Sequence, residues 1–193
     1  IANNLINDIG ALIYAGSNMF LNVANDLTNK TNATIYAEND LFVTNRALTT
    51  DQQATLSTLK SEIAATSDNT IIKQKRLEIA NIFDNLKINK LENISGNIES
   101  YGGDIYIAAT TVENKREYLP TMSGIDFNNY YYYDGCAFTN PYANGGCYQA
   151  RLLLNERIGE AAPASFINSG QNITISSNKL NNDGGQILAQ ENI

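Results

Sequence analysis

The chain has 193 residues, and its apolar fraction of 43% is that of a globular protein with one large domain or one domain with insertions. The net charge is −7 and Lys and Arg form no large basic run, which argues against a nucleic-acid partner. Histidine is absent, which excludes Ser-His-Asp and Cys-His catalytic machinery and the commonest metal ligand.

Asparagine supplies much of the polarity, with 28 residues against a low charged fraction of 17%. Asn favours turns and can stack into hydrogen-bonded ladders, so we expect a chain with very many turns. No apolar run reaches the roughly 18 residues of a membrane span, and no membrane insertion is expected. The start, IANNLINDIG, lacks the basic and apolar regions of a signal peptide and begins in mid-pattern without Met, so we interpret the chain as excised from a longer protein.

Residues 1–45 contain nearly the same phrase twice, IYAGSNMFL at 13–21 and IYAENDLFV at 35–43, at a spacing of 22. Alternating apolar residues, such as Met19 and Leu21, predict short strands with one buried face. Clusters of Asn, Gly, Asp and Ser between them predict turns. The alternative is chance similarity in an Asn-rich chain. The repeat places these residues in pairs: Leu5 with Leu27, Leu12 with Thr34, Ile13 with Ile35, Tyr14 with Tyr36, Met19 with Leu41 and Phe20 with Phe42.

Residues 46–87 interrupt this pattern with apolar residues at helical spacing. Thr50 and Asp51 suit the cap and first turn of a helix, and the polar stretch 67–69 separates two apolar runs. We therefore expect a helical hairpin that packs along the side of the strands or covers an edge. The alternative is a helix pair that binds a partner. The residues at helical spacing are Leu56, Leu59 and Ile63 in the first run and Ile72, Ile79, Ile82, Phe83 and Leu86 in the second.

The strand-and-turn pattern returns twice later in the chain. A middle copy at 88–115 includes NISGNIESYGGDIYIAATTVEN, and a last copy at 165–193 includes FINSGQNITISSNKLNNDGGQILAQENI. In the last copy Ile167 and Ile187 are 20 residues apart. A period of 20–22 residues of short strands and turns is typical of a β-solenoid.

These patterns predict an all-β solenoid, a right-handed parallel β-helix that forms one continuous domain. Its coils would lie at 1–45, 88–115 and 165–193, with a helical-hairpin insert at 46–87 and a Tyr- and Cys-rich insert at 116–164. Successive coils of such a fold stack about 4.8 Å apart and hydrogen-bond to each other. Each buried aliphatic side chain then stabilises the stack by about 1.5–3 kcal/mol.

The insert at 116–164 contains GIDFNNYYYYDGCAFTNPYANGGCYQARLLLNE, in which the four tyrosines of YYYY are consecutive. Tyr combines a large contact area, few rotamers and a hydroxyl, and it is enriched at recognition surfaces. Successive side chains of a strand face opposite ways, so half of the four tyrosines would face outward or into a second layer. The alternative is that the rings form a small core of the insert itself. The candidate receptor-binding residues are Phe127, Tyr130, Tyr131, Tyr132, Tyr133, Phe138, Tyr142 and Tyr148.

Cys136 and Cys147 are the only cysteines and lie in the same insert. A disulfide between them would close a loop of 12 residues, which would contribute roughly 2–3 kcal/mol if the bond is unstrained. We predict this disulfide, which requires an oxidising environment. The alternative is a pair of reduced thiols, which an exposed loop of a secreted protein would not keep.

The acidic residues form no recognisable catalytic or metal-binding group, and no GGxGxD calcium repeat is present. Glu156 and Glu160 are four residues apart, which on a helix gives an ordinary solvated face rather than a catalytic pair. We therefore expect no enzyme activity, no cofactor and no metal. The scattered acids are Asp104, Asp126, Asp134 and Asp183.

The predicted coils resemble the haemagglutinin repeats of filamentous haemagglutinin and its relatives, which are large exoproteins of bacterial two-partner secretion. The residues that carry the resemblance are IYAGSNMFLNVANDLTN, NATIYAENDLFV, GNIESYGGDIYIAATTVENKR and NSGQNITISSNKLNNDGGQILA. The resemblance covers the coils and leaves both inserts without a matching motif.

Within that family the chain is most similar to the CdiA-type effectors of contact-dependent growth inhibition, which carry a receptor-binding region partway along a filament and a toxin at its far C-terminal end. The resemblance implies a secreted, extracellular segment at the bacterial cell surface, monomeric within a longer filament. Its partner would be an outer-membrane protein or surface glycan of a neighbouring target bacterium, and the filament's role would be toxin delivery. The alternative is a passive stalk segment or a host-cell adhesin of a filamentous haemagglutinin-like protein.

Overall fold

The computed structural model of the protein describes residues 1–122 and 156–191, with side chains described for residues 1–117 and 162–191. The chain divides into two compact units, Ile1–Glu117 with Ala162–Ile193, and Tyr118–Ala161. The larger unit contains two parallel sheets and two helices, and the described part of the smaller unit contains an antiparallel strand pair.

The chain passes back and forth between the two parallel sheets of the larger unit. The seven-stranded sheet contains β1 (Leu5–Asn7), β3 (Met19–Asn22), β4 (Asp26–Asn29), β6 (Leu41–Thr44), β7 (Ile88–Ile94), β9 (Ile105–Lys115) and β13 (Ile173–Asp183). The five-stranded sheet contains β2 (Leu12–Ala15), β5 (Thr34–Ala37), β8 (Asn97–Ser100), β12 (Phe166–Ser169) and β14 (Gln186–Ala189).

These strands form five structural repeats in the described residues. The first consists of β1–β3 and the second of β4–β6. The third contains β7, β8 and the N-terminal half of β9, and the fourth contains the rest of β9, β12 and the N-terminal half of β13. The fifth contains the rest of β13 and β14. The pairing predicted at a spacing of 22 is confirmed, because Ile13 pairs with Ile35 and Met19 with Leu41 in parallel register.

Aliphatic side chains of successive repeats lie over one another in a hydrophobic core that both sheets share. Ile35, Ile98 and Ile167 pair in sequence across the five-stranded sheet, and each is fully buried. Burial of one such side chain contributes about 1.5–3 kcal/mol, so the columns together contribute strongly to stability. The columns of the seven-stranded sheet are Leu5, Leu27, Leu91, Val112 and Leu180; Met19, Leu41, Ile105 and Ile173; and Leu21, Val43, Ile107 and Ile175.

A column of asparagines runs through the same sheet: Asn7, Asn29, Asn93, Asn114 and Asn182. In this asparagine ladder, each of the first four residues donates Nδ2 to Oδ1 of the next at 2.8 Å. The same Nδ2 atoms donate to backbone carbonyls of the five-stranded sheet at 2.9–3.0 Å. Because an unsatisfied buried amide destabilises a protein by about 1–3 kcal/mol, the ladder makes the buried polar column compatible with the core.

Two helices, α1 (Thr50–Ala64) and α2 (Asn69–Phe83), lie between the second and third repeats in the chain. A capping box of Thr49 and Gln52 begins α1, and the side chain of Asp68 accepts two backbone N–H bonds at the start of α2. These caps satisfy N–H groups that have no partner inside a helix.

The helices cover the outer face of the seven-stranded sheet with a second hydrophobic core. That face carries the stacked rings of Phe20, Phe42 and Tyr106, with successive centroids 4.7 and 4.9 Å apart. Phe83 of α2 is fully buried, and its ring centroid lies 5.0 Å from that of Tyr106. Such ring pairs contribute about 0.5–1.5 kcal/mol beyond their burial. The other buried residues of this core are Leu48, Leu56, Leu59, Ile79, Leu86 and Ala108.

The prediction of an all-β solenoid, a right-handed parallel β-helix, is wrong. The helices form a layer with its own core, and the fold is α/β. The seven-stranded sheet also curls, since residues 105–107 of β9 pair with β6 while residues 109–115 pair with β7. The buried rings of Phe42 and Tyr106 explain the difference, because a parallel sheet that is apolar on both faces must be covered on both.

The smaller unit contains β10 (Tyr118–Met122) and β11 (Glu156–Ala161), which pair antiparallel. The register is irregular between Tyr118 and Pro120, in keeping with a residue that cannot donate a ladder hydrogen bond. Glu156 and Glu160, expected on a helix, lie instead on β11. Pairing with β10 overrides the helical spacing of these two residues.

We predict that Asn93→Ala lowers the free energy of unfolding by roughly 3 kcal/mol, because Asn29 and Asn114 each lose a buried hydrogen-bond partner. Equilibrium unfolding in urea measures the change. The matched control is Asn168→Ala, at an exposed position of β12, which should change the value by less than about 0.5 kcal/mol. Equal effects of the two substitutions would contradict a stabilising role of the ladder.

Candidate functional site

The predicted receptor-binding residues and both cysteines lie outside the described residues, so this binding site and the disulfide stay predictions. The described residues nearest to them in sequence belong to β10 and β11. The residues concerned are Phe127, Tyr130, Tyr131, Tyr132, Tyr133, Phe138, Tyr142 and Tyr148, with Cys136 and Cys147.

A partly buried ionic cluster lies between α1 and the seven-stranded sheet, and we call it the lysine cluster: Lys60, Asp40, Asp104, Tyr106 and Asn172. The Nζ atom of Lys60 lies 2.7 Å from Oδ2 of Asp104 and 3.2 Å from Oδ2 of Asp40. The hydroxyl of Tyr106 donates to Oδ2 of Asp104 at 2.7 Å. The backbone N–H and Nδ2 of Asn172 both donate to Oδ1 of Asp104 at 3.0 Å. The carboxylate of Asp104 is therefore fully hydrogen-bonded at a position with 3% of its surface exposed.

The repeat places the two aspartates of the lysine cluster at the same corner of successive repeats. Each corner side chain accepts a hydrogen bond from the backbone N–H of the next corner residue: Asn18 from Asp40 at 3.2 Å, Asp40 from Asp104 at 2.8 Å and Asp104 from Asn172 at 3.0 Å. Adjacent carboxylates repel each other. Lys60 contacts both of them and thereby compensates their charge.

The protonation states of the cluster follow from its contacts. Burial alone would raise the pKa of Asp104, but hydrogen bonds from Lys60, Tyr106 and Asn172 and the charge of Lys60 outweigh burial and hold this pKa below its usual value. Burial lowers the pKa of Lys60, but Asp104 and Asp40 raise it above its usual value overall. Burial, followed by the charge of Asp104, raises the pKa of Tyr106 far above its usual value. At neutral pH the ion pair is charged and the tyrosine is neutral.

In these states the cluster joins α1 to the sheet by an ion pair and hydrogen bonds. A protonated Lys60 cannot act as a base or a nucleophile. The hydroxyl of Tyr106 keeps its proton and donates it in a hydrogen bond to the carboxylate of Asp104. Nζ of Lys60 also lies 5.9 Å from the centroid of the Tyr106 ring, within range of a cation–π interaction. The cluster therefore attaches α1 to the third repeat.

A cleft of about 400 Å³ opens beside the lysine cluster. Lys60, Asp104 and Tyr106 line it together with Arg76 of α2 and with Glu191. A second cleft of about 480 Å³ lies along α2 and β13 and is lined in part by Arg76 as well. Arg76, Ile173 and Thr174 line both clefts.

From the sequence, Asp104 was expected to be one of several scattered acids. This expectation is wrong, because Asp104 lies beside Asp40 in the folded chain. The sequence signal for this contact is that Asp40 directly precedes Leu41 and Asp104 directly precedes Ile105. Leu41 and Ile105 pair in register. The helical segment separates the two copies in sequence and hides the equivalence.

We predict that the free energy of unfolding is highest between about pH 5 and pH 9 and falls on both sides. Asp104 has a lowered pKa in the folded state, so its contribution is complete above its unfolded pKa of about 3.9 and is lost as the pH falls further. Lys60 and Tyr106 have raised pKa values, so their contribution is complete below about pH 10 and is lost above it. Urea unfolding at a series of pH values measures both decreases in the free energy of unfolding, which we call the acid limb and the alkaline limb.

Two variants separate these limbs from general effects of pH. Asp104→Asn should flatten the acid limb, and Tyr106→Phe should weaken the alkaline limb while keeping the ring stack. Asp8→Asn is the control, since Asp8 forms an exposed ion pair with Lys30. An acid limb of the same size in Asp104→Asn and in the unmodified protein would refute the assignment.

No group of three or more metal-ligating side chains occurs among residues 1–117 and 162–191. Neither α1 nor α2, which are the helices of the described ranges, is long and apolar enough to cross a membrane. No protein-family model, no curated protein and no solved structure matches the chain.

Proposed function

We propose that the chain is a receptor-binding segment of a large secreted bacterial surface protein of the filamentous haemagglutinin type. In this proposal it acts in contact-dependent growth inhibition and recognises an outer-membrane receptor on a neighbouring cell. The parallel sheets are the scaffold, and the eight predicted aromatic residues between Phe127 and Tyr148 contact the receptor. The lysine cluster keeps the helices in place and takes no part in chemistry.

The observation that carries the proposal is an insertion that leaves the scaffold in register. Residues 118–161 lie in the chain between β9 and β12, and yet β12 pairs with β8 residue for residue, from Phe166 opposite Asn97 to Ser169 opposite Ser100. The pairing of β12 with β8 therefore does not depend on the length of the insertion, which leaves that segment available for a binding function. Loops that hold function on a rigid framework are common in proteins.

Charge favours a protein or a neutral glycan as the receptor. The chain has a net charge of −7, so bare anionic lipopolysaccharide would repel it at long range. Tyrosine suits both preferred partners, because its ring packs on apolar surface and on sugar rings and its hydroxyl donates and accepts hydrogen bonds.

A passive stalk or host-cell adhesin is the second candidate, and the asparagine ladder favours the stalk. The ladder joins all five repeats of the described residues by side-chain hydrogen bonds, so these repeats form one continuous scaffold. Binding of the isolated chain to any bacterial or host cell would exclude the passive stalk. Binding to host cells alone would favour the adhesin.

We predict that replacing Tyr130, Tyr131, Tyr132 and Tyr133 by Ser lowers binding to target bacteria at least about tenfold, the loss expected for one or more interface hot spots. Flow cytometry of the labelled chain on bacterial cells measures binding. The midpoint of thermal unfolding should stay unchanged, since the substitutions leave the buried columns intact.

The matched control is Tyr14→Ser with Tyr101→Ser, which removes two tyrosines that the scaffold exposes by 57% and 72%. Binding should survive in this variant. If the YYYY variant binds as well as the unmodified chain, or if the control loses binding to the same degree, the proposed role of the insert is wrong.

A further inference from the structure

The outer face of the five-stranded sheet carries two tyrosines and two glutamates, which we call the Tyr–Glu square: Tyr36, Glu38, Glu99 and Tyr101. Tyr36 of β5 pairs in register with Glu99 of β8. The residue after Tyr101 donates its backbone N–H to the carbonyl of Glu38 at 3.0 Å, so the pairing continues past the strand ends and places Tyr101 beside Glu38. The Tyr-x-Glu of one repeat therefore lies next to the Glu-x-Tyr of the following repeat.

All four side chains of the Tyr–Glu square face outward. Ala37 and Ser100, which lie between them in sequence, are buried, and strand alternation turns the flanking side chains to the opposite face. Tyr101 is exposed, and the other three residues are partly exposed. Both β5 and β8 have a strand on each side, so a further strand at either edge of the sheet would leave this surface open.

The ring of Tyr36 has one face free. Tyr14 stacks on Tyr36 with the ring centroids 5.8 Å apart and an angle of 15° between the ring planes. One face of the Tyr36 ring is therefore turned to Tyr14, and the other is turned to the next position of the series, which is Glu99. Because successive repeats are about 4.8 Å apart, a planar cation on the free face would lie beside the carboxylate of Glu99.

The two carboxylates of the Tyr–Glu square have no compensating cation among the described residues. Glu38 accepts a hydrogen bond from the hydroxyl of Tyr14 at 3.1 Å, and neither Glu38 nor Glu99 forms an ion pair with a described residue. An exposed surface of carboxylates and aromatic rings complements a cation. The flanking positions of both series are uncharged: Tyr14, Gly16, Asn168 and Gly170.

We propose that the Tyr–Glu square binds an extended segment of a partner protein that carries the pattern Arg-x-Arg. One guanidinium lies on the free face of Tyr36 and bonds to Glu99, and the other lies on Tyr101 and bonds to Glu38. Arginine fits better than lysine, because its planar fork stacks on a ring and binds a carboxylate through two N–H groups. Alternate residues of an extended segment are about 6.6 Å apart, which is also the spacing of Tyr36 and Glu38 along their strand.

This surface is additional to the proposed receptor-binding residues. The Tyr–Glu square belongs to the larger unit, whereas the eight aromatic residues between Phe127 and Tyr148 belong to the smaller one. A second copy of the chain is not the partner, because the 193 residues contain no Arg-x-Arg and two acidic chains repel each other.

Three unlabelled peptides and the isotope-labelled chain test the proposal by NMR titration. Gly-Arg-Ser-Arg-Gly has the proposed pattern, Gly-Lys-Ser-Lys-Gly has the same charge, and Gly-Arg-Arg-Ser-Gly has the same composition with a different spacing. We expect the first peptide to bind at least about fivefold more tightly than either of the others. Its binding should shift the backbone amide signals of residues 36–38 and 99–101.

Substitutions separate the Tyr–Glu square from the net charge of the chain. Glu38→Gln combined with Glu99→Gln should weaken binding of the first peptide at least about tenfold. The matched control, Asp51→Asn with Asp183→Asn, removes the same number of charges from exposed positions elsewhere and should change the affinity less than about twofold. Tyr36→Leu should cancel the preference for arginine over lysine, because it removes the ring on which the guanidinium stacks.

Equal affinity for the three peptides, or an equal loss of affinity in the control variant, would overturn the proposal, because binding would then depend on net charge alone. Signal shifts centred outside the Tyr–Glu square would overturn it as well. The YYYY variant should bind the first peptide like the unmodified chain, and the glutamate variant should still bind target bacteria. Loss of cell binding in the glutamate variant would contradict the separation of the two surfaces.

Discussion

The asparagine ladder is the interaction on which the rest of the structure depends. Asn29, Asn93 and Asn114 are fully buried, and each is satisfied only when the neighbouring repeats place an Asn at the same position. A slip of one residue would turn a whole strand over and leave buried amides without partners. The aliphatic columns lie on the same strands as the ladder, so their register follows from it.

Register between repeats also explains where the chain tolerates interruptions. Asn29 bonds directly to Asn93, which lies 64 residues later and beyond both helices. In the same way β8 pairs with β12, although residues 118–161 lie between these strands in the chain. A segment that leaves at a corner and returns at the equivalent corner changes no pairing, and the loop-closure entropy rises only slowly with its length.

The pairing of Ile13 with Ile35 could be predicted from the sequence because both the spacing and the residue types recur. The helices could be predicted from apolar spacing, although the residue that caps α1 is Thr49 rather than Thr50. The α/β class and the lysine cluster could not be predicted from the sequence. Both depend on contacts between one face of the strands and a helix that is distant in sequence. Phe42 and Tyr106 look like ordinary strand residues until α2 covers them, and no pattern within one repeat shows that Lys60 will reach Asp104.

Inward and outward positions of the repeats follow different rules. The inward columns keep their chemistry from one repeat to the next, because each side chain packs on its neighbours in the column within the shared core. The outward series changes from Phe20, Phe42 and Tyr106, which stack on one another, to Thr174, which lies beside Arg76. At that point the stack of aromatic rings ends. The outward positions therefore vary with whatever covers them, whereas the inward positions are held to one residue type by the stacking of the repeats.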